Sequence, residues 1–304
     1  MRRRRSLRGG VAAFLYRAFT KRRPAPNSDA LARQARRIMG LPRPLSMAWT
    51  LRPGVKISRV QCGGIACERL QPRNAAEMTL LYIHGGGYVS CSPQTHRPNT
   101  VTLTRLLNAD TYVPDYRLAP EHPFPAGLDD VTSVYEELCR STGKRRIVVA
   151  GDSAGGGMAI AVAIRARDRG LPAPASILTF SPWVDMTPGR EPSLREREHL
   201  CDMFYAESIA AYADAYLQGA DPHNPLASPV VATLADLPPL LIEVSDTELL
   251  YPEAVRLQER WAAAGNAVEL NASAGLPHGW QEVTPFVPEA RDSLQRAVAF
   301  ARRH

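Results

Sequence analysis

From residue 78 onward, apolar runs of strand length alternate with stretches of helical length, and this rhythm most narrows what the chain can fold into. The runs are MTLLYIH (78–84), DTYVPDY (110–116), RRIVVAG (145–151), SILTFSP (176–182), LPPLLIEVS (237–245) and AVELNAS (267–273). Such strands read as buried on both faces, the environment of a parallel sheet covered by helices. Helices are predicted over 124–139, 156–169 and 251–264, with Gly170 and Gly265 where a helix C-terminus favours a left-handed residue. The fold class is therefore α/β, a mostly parallel central sheet flanked by helices.

Two segments break the rhythm. Residues 1–50 precede the sheet, and 184–232 separate two strands by far more than the usual short crossover. The second carries Met203, Phe204, Tyr205, Tyr212, Tyr216 and Leu217 in a helical context, so it reads as a lid or as surface helices packed by those aromatics. With 304 residues and 45% apolar composition, the chain can bury one large α/β domain with insertions, or two small domains.

The net charge of +7 is concentrated at one end. Residues 1–23 hold nine Arg or Lys and no acid, so the rest of the chain sums to about −2. A near-neutral body removes the compositional case for a nucleic-acid partner. The basic head has an apolar run too short to cross a bilayer, and Arg17 interrupts it where a secretory signal would continue. Two readings stand for residues 1–23: a terminal helix covering a core, or a basic amphipathic helix making weak peripheral membrane contact. Five cysteines, Cys62, Cys67, Cys91, Cys139 and Cys201, form no CxxC pair, which points to a reducing, cytoplasmic setting.

Gly151-Asp152-Ser153-Ala154-Gly155 fits G-x-S-x-G where a predicted strand meets a predicted helix. A serine there sits on a tight, strained turn that exposes its hydroxyl, with helical amides aimed at developing negative charge. Alone, the pattern is equally an ordinary glycine-rich turn. His84-Gly85-Gly86-Gly87 follows the strand ending at Ile83, and such a loop brings backbone N–H groups close to a tetrahedral oxyanion, with Ala154 N–H as a further donor. It lacks the Lys-Ser or Lys-Thr of a phosphate loop and the G-x-G-x-x-G of a dinucleotide site. His84 is expected to hold this loop by hydrogen bonding. A serine nucleophile also needs an acid and then a histidine later in the chain. His278, in LPHGW after the last predicted strand, is the candidate base; His96, His122, His199 and His223 come too early and His304 is terminal. Asp246 and Glu248, after the strand LLIEVS, are both candidate acids.

Together the segments YIHGGGYVSCSPQTHRP, DYRLAPEHPFPAGLDD, VVAGDSAGGGMA, SPWVDMT, ELLYPEA and HGW, in this order, resemble the hormone-sensitive-lipase family of bacterial esterases, over roughly residues 78–300. The resemblance implies an α/β-hydrolase fold, with residues 1–50 as basic tail and cap helices and 51–304 as the hydrolase domain, its cap insertion at about 184–232. It implies Ser153 as nucleophile, His278 as base, and an oxyanion hole from Gly85, Gly86, Gly87 and Ala154. The family's acid stands about thirty residues before the histidine, which places Glu248 in that slot and leaves Asp246 as the alternative. A homodimer is a further implication.

The expected activity is serine carboxylesterase chemistry on short to medium acyl esters of small molecules, through an acyl-enzyme. An acetyl-hydrolase (deacetylase) or lactone hydrolase acting on a small metabolite shares the same core, and a non-catalytic binding module on the same scaffold is the reading from a different class. No cofactor and no metal is expected, since the sequence has neither an H-E-x-x-H nor a metal-spaced Cys/His cluster.

Overall fold

The computed structural model describes residues 5–40, 54–143, 145–189, 191–284 and 286–304. Arg2, Arg3 and Arg4 of the basic head, and 41–50 of the expected N-terminal cap, lie outside them. Among the described residues the sheet has eight strands: β1 Val55–Cys62, β2 Ile65–Pro72, β3 Met78–Ile83, β4 Ala109–Pro114, β5 Arg146–Asp152, β6 Ser176–Phe180, β7 Leu240–Ser245 and β8 Val268–Ser273. Their order is β1-β2-β4-β3-β5-β6-β7-β8, with β2 antiparallel to both of its neighbours and every pair from β4 to β8 parallel. Each of the six predicted runs matches one of these strands, four enclosing it and those at 110–116 and 145–151 missing one terminal residue.

The β1–β2 hairpin was not anticipated. Its signal is Gly63-Gly64 between two strand-length runs, and both glycines have positive φ, 57° and 79°, as a two-residue hairpin turn with matching twist requires.

The helices are α1 Leu7–Phe19, α2 Ser28–Ile38, α3 Arg97–Leu107, α4 Ala126–Ser141, α5 Ala154–Asp168, α6 Glu191–Arg197, α7 Ala206–Leu217, α8 Tyr251–Ala263 and α9 Pro288–Arg303. Gly170 and Gly265 adopt φ of 65° and 84°, the left-handed stops expected after α5 and α8. Strand residues alternate between two cores. Leu80, Tyr82, Val148, Ala150 and Leu178 meet α3 and α9 on one face, while Leu81, Ile83, Val149, Ile177 and Ile242 meet α4, α5 and α8 on the other. Runs apolar at most positions on both faces are what two covered faces demand.

Chain direction across the sheet reverses around β3 and β5: β4 lies on one side of β3, and β5 on the other. In open α/β sheets the crevice outside the carboxyl ends of the strands at such a point is where ligands bind. The loops leaving β3 and β5 there are HGGG and the Ser153 turn. The insertion supplies α6 and α7, and α7 packs on α2; Tyr212 and Tyr216 of α7 are buried, while Phe204 and Tyr205 before it are half-buried.

Candidate active site

Ser153 stands between the last residue of β5 and the first of α5, with φ 52° and ψ −123°. This is a strained conformation for any side chain, and it is held because the turn is enclosed on all sides. A Cβ on Gly155 would lie 2.1 Å from the Ile83 carbonyl oxygen, and one on Gly151 would lie 2.3 Å from that of Gly155. Both contacts are with backbone, which cannot swing aside. Gly155→Ala is therefore expected to destabilise the fold by about 3 kcal/mol or more, read as a lowered thermal midpoint or loss of folded protein.

The glycine-rich loop is anchored from beneath. The Tyr116 hydroxyl donates to the His84 carbonyl at 2.8 Å, and the His84 ring stacks on Tyr116 with centroids 4.3 Å apart. His84 Nδ1 donates to the Gly85 carbonyl at 2.8 Å. Burial first, and then the charge of His96, push the His84 imidazole down to about 3, so it is neutral and holds the loop. At Gly86, φ is 112° and a Cβ would meet the Ser90 carbonyl oxygen at 2.3 Å, so only glycine fits.

The four expected oxyanion donors do not share one environment. Gly85 N–H donates to Asp152 Oδ1 at 3.2 Å, so it is already engaged and drops out of the set. Gly86 and Gly87 line a cavity that also reaches Ser153 and His278. The N–H groups of Gly86, Gly87 and Ala154 have no acceptor among the described residues.

His278, which lines this cavity, is held by Glu248. Glu248 is buried and accepts three hydrogen bonds: from His278 Nδ1 at 2.5 Å, Ser181 Oγ at 2.7 Å and Ser245 N–H at 2.8 Å. The ring's other nitrogen, His278 Nε2, is buried with no hydrogen-bond partner among the described residues. Burial pulls the His278 imidazole down, but the Glu248 charge and hydrogen bond, with Asp152 and Glu282 beyond, outweigh it and hold the pKa above the ordinary histidine value. Asp246 goes elsewhere: its Oδ1 accepts from Gly275 N–H at 3.0 Å, bracing the loop that leads to His278, and its carbonyl accepts from Arg197.

A second charged group was not foreseen. His96 Nε2 lies 3.1 Å from Asp152 Oδ2 and 3.1 Å from Glu282 Oε1, almost wholly buried. Burial alone would strip its proton, yet the two carboxylates outweigh that and hold its pKa well above the usual range. Asp152 also accepts from the Tyr82 hydroxyl at 2.9 Å, so it ties the Ser153 turn to the glycine loop. The available signal was the Asp of G-x-S-x-G itself, since a carboxylate buried at a strand end needs donors. His96, Asp152 and Glu282 are also the grouping among the described residues whose spacing would suit a metal. An imidazolium between two carboxylates accounts for that spacing, so the atoms are occupied with one another.

The cavity around Ser153 is narrow, about 50 Å³, and its lining is mixed. Trp183, Phe204, Ile209, Tyr212 and Leu250 are among its apolar lining residues, and Thr95, His96, Asp152 and Glu282 among its polar ones. The insertion packs directly on this site. Phe204 sets its edge on the His278 ring with centroids 5.2 Å apart, and Tyr216 stacks on Tyr88 with centroids 3.7 Å apart.

The fold class is shared with known proteins: residues 80–282 match a family described as having the alpha/beta hydrolase fold. An acetyl-hydrolase of Streptomyces hygroscopicus is 37% identical over 246 residues, covering 80% of this chain and 81% of that protein. A crystal structure of an esterase from the bacterial hormone-sensitive lipase family superposes with a TM-score of 0.87 at 32% identity, covering 99% of both chains. An esterase whose crystal was soaked with p-nitrophenyl butyrate gives 0.85 at 32% identity, covering 98% of both. The chain belongs to the hormone-sensitive-lipase family of α/β-hydrolases.

Proposed function

We propose that this chain is a serine carboxylesterase cleaving short acyl esters of small molecules, with Ser153 as nucleophile, His278 as its base and Glu248 as the orienting acid. The observation that carries this reading is the His278 ring, whose Nδ1 is bonded to buried Glu248 while Nε2 is left unpartnered in the cavity that Ser153 lines. Glu248 fixes the tautomer with the proton on Nδ1, so Nε2 carries the lone pair that takes the Ser153 proton. Ser153 Oγ bonds to the acyl carbon, and the carbonyl oxygen becomes an oxyanion facing the Gly86, Gly87 and Ala154 N–H groups. Collapse expels the alcohol with the proton from His278. Water, deprotonated by the same nitrogen, then cleaves the acyl-enzyme and regenerates Ser153. Met39, just past α2, and the 184–232 insertion act together as the cap that bounds the acyl group.

The narrow cavity favours acyl groups of a few heavy atoms. Turnover of p-nitrophenyl esters is expected to peak at acetyl to butanoyl and to fall for longer chains, measured as kcat/KM across the series. A parallel panel of N-acetyl amines and lactones tests the acetyl-hydrolase reading, which the likeness to an acetyl-hydrolase favours as the alternative. Failure on every ester, or a consistent amide preference, would sink the esterase assignment.

Activity requires neutral His278, and a raised pKa keeps the proton on to higher pH. The acid limb of kcat/KM is therefore expected above the ordinary histidine value of about 6.5, with activity lost as pH falls through it. Glu282→Gln removes one of the charges that raise this pKa, so the limb should move to lower pH. A limb that stays put, or moves upward, contradicts the electrostatic assignment.

A further inference from the structure

The most exposed apolar surface among the described residues is one side of α1. Among the described residues, the exposed large hydrophobics include Leu7, Val11, Phe14, Leu15 and Phe19 of this helix, with Leu7 88%, Phe14 69% and Phe19 68% exposed. The remaining two are neighbours: Phe286 lines the same groove as Leu7 and Phe19, and Leu200 follows His199, whose carbonyl accepts from Arg17.

The helix is inside-out for a terminal helix covering a core. Gly9, Ala12, Ala13 and Tyr16 are its buried residues, with Ala12 against Leu276, Trp280 and Val287. It is also firmly seated. Ser6 caps it through Gly9 N–H at 3.0 Å and is itself held by Glu289 at 2.5 and 2.9 Å. A seated helix that buries its small residues and exposes Leu, Val and Phe presents a face for something apolar.

The charge around it selects the occupant. Residues 1–23 carry nine basic residues and no acid. Two of them are balanced from the insertion, Arg17 by Asp202 and Arg23 by Glu207. Arg8 and Arg37 line the groove itself, which is about 1010 Å³. A second copy of the same face would bring like charges together, and a nucleic acid offers nothing to cover five apolar side chains.

We propose that the chain docks peripherally on anionic lipid bilayers through the outer face of α1, its Leu and Phe side chains entering the interface and the exposed Arg8 and Arg37 of the adjoining groove meeting the headgroups. Described helices are not long and apolar enough to cross a membrane, so the contact is peripheral. The groove adjoins the catalytic cavity: Ile38 and Val283 line it, and their sequence neighbours Met39 and Glu282 line the cavity. Docking would therefore present the cavity to esters dissolved in the bilayer, a consequence that rests on the esterase reading.

The test is cosedimentation of the full chain with vesicles of phosphatidylcholine, alone or mixed with phosphatidylglycerol. Each basic residue near an anionic surface contributes about fivefold, so partitioning should be at least about tenfold higher on the mixed vesicles and weaken with salt. Phe14→Asp combined with Phe19→Asp should lower partitioning by about tenfold or more, with hydrolysis of p-nitrophenyl butyrate in solution as the check on folding. No binding by the wild-type chain, or equal binding to both vesicles, overturns the proposal. So does a dimer in sedimentation velocity that the double variant dissociates. A chain that binds mixed vesicles but never hydrolyses the soluble ester leaves docking standing and removes only the esterase reading.

Discussion

Ser153→Ala lowers kcat/KM for p-nitrophenyl butyrate by about 10⁴- to 10⁶-fold while leaving the thermal midpoint nearly unchanged. The size follows from what the hydroxyl supplies: without it His278 has no proton to take and no acyl-enzyme can form. Only the backbone donors and binding remain, and in serine hydrolases these sustain about 10³- to 10⁴-fold over water. Stability is spared because alanine meets the same backbone strain at φ 52° as serine does, and the turn is enforced from outside, by the glycines on either side and by Ser153 N–H donating to the Phe180 carbonyl at 2.9 Å. The measurement is steady-state kinetics beside a thermal melt. Activity retained within tenfold would remove Ser153 from the mechanism. Ligand binding without turnover in the wild type, unchanged in the variant, would instead make the chain a binding module.

Much of the architecture was legible because burial leaves a mark on composition. Six strands read correctly as short runs rich in apolar residues, five of them because both faces are covered, and β8 from the same alternation of strand-length and helix-length stretches although it is an edge strand with mixed burial. The β1–β2 hairpin escaped because both its strands have mixed burial and few apolar residues in a row, leaving Gly63-Gly64 as its clearest sign. Within the site, Ser153 and His278 could be placed because each follows a strand at a fixed point in the chain order. His96 could not. Its function as a buried cation depends on Asp152 and Glu282, 56 and 186 residues away, and only the folded sheet brings the three together. Gly85 shows the converse: its place in the HGGG loop suggested an oxyanion donor, yet its N–H turns to Asp152. The N-terminal helix was readable as amphipathic, but which side faces the protein was set by the small residues and by the Ser6–Glu289 contact, neither of which periodicity weighs.

Glu248→Gln is the second large effect, expected to reduce kcat by about 10³- to 10⁴-fold, while Asp246→Asn stays within a few-fold of wild type. The two acids sit two residues apart in one loop, and the packing around each separates them. Glu248 is buried, with one oxygen on His278 Nδ1 and the other on Ser181 and Ser245, so a glutamine keeps the shape but removes the charge. Its amide can present an N–H to the ring, which would favour the tautomer with the proton on Nε2, where it blocks uptake from Ser153. The loss of charge also lowers the His278 pKa, because the Glu248 carboxylate is the leading influence that raises it. The acid limb of the residual activity should consequently shift to lower pH. Asp246→Asn keeps an oxygen for Gly275 N–H and leaves the loop in place. Kinetics and pH profiles of the two variants decide the matter: a severe loss in Asp246→Asn beside a mild one in Glu248→Gln would exchange their roles.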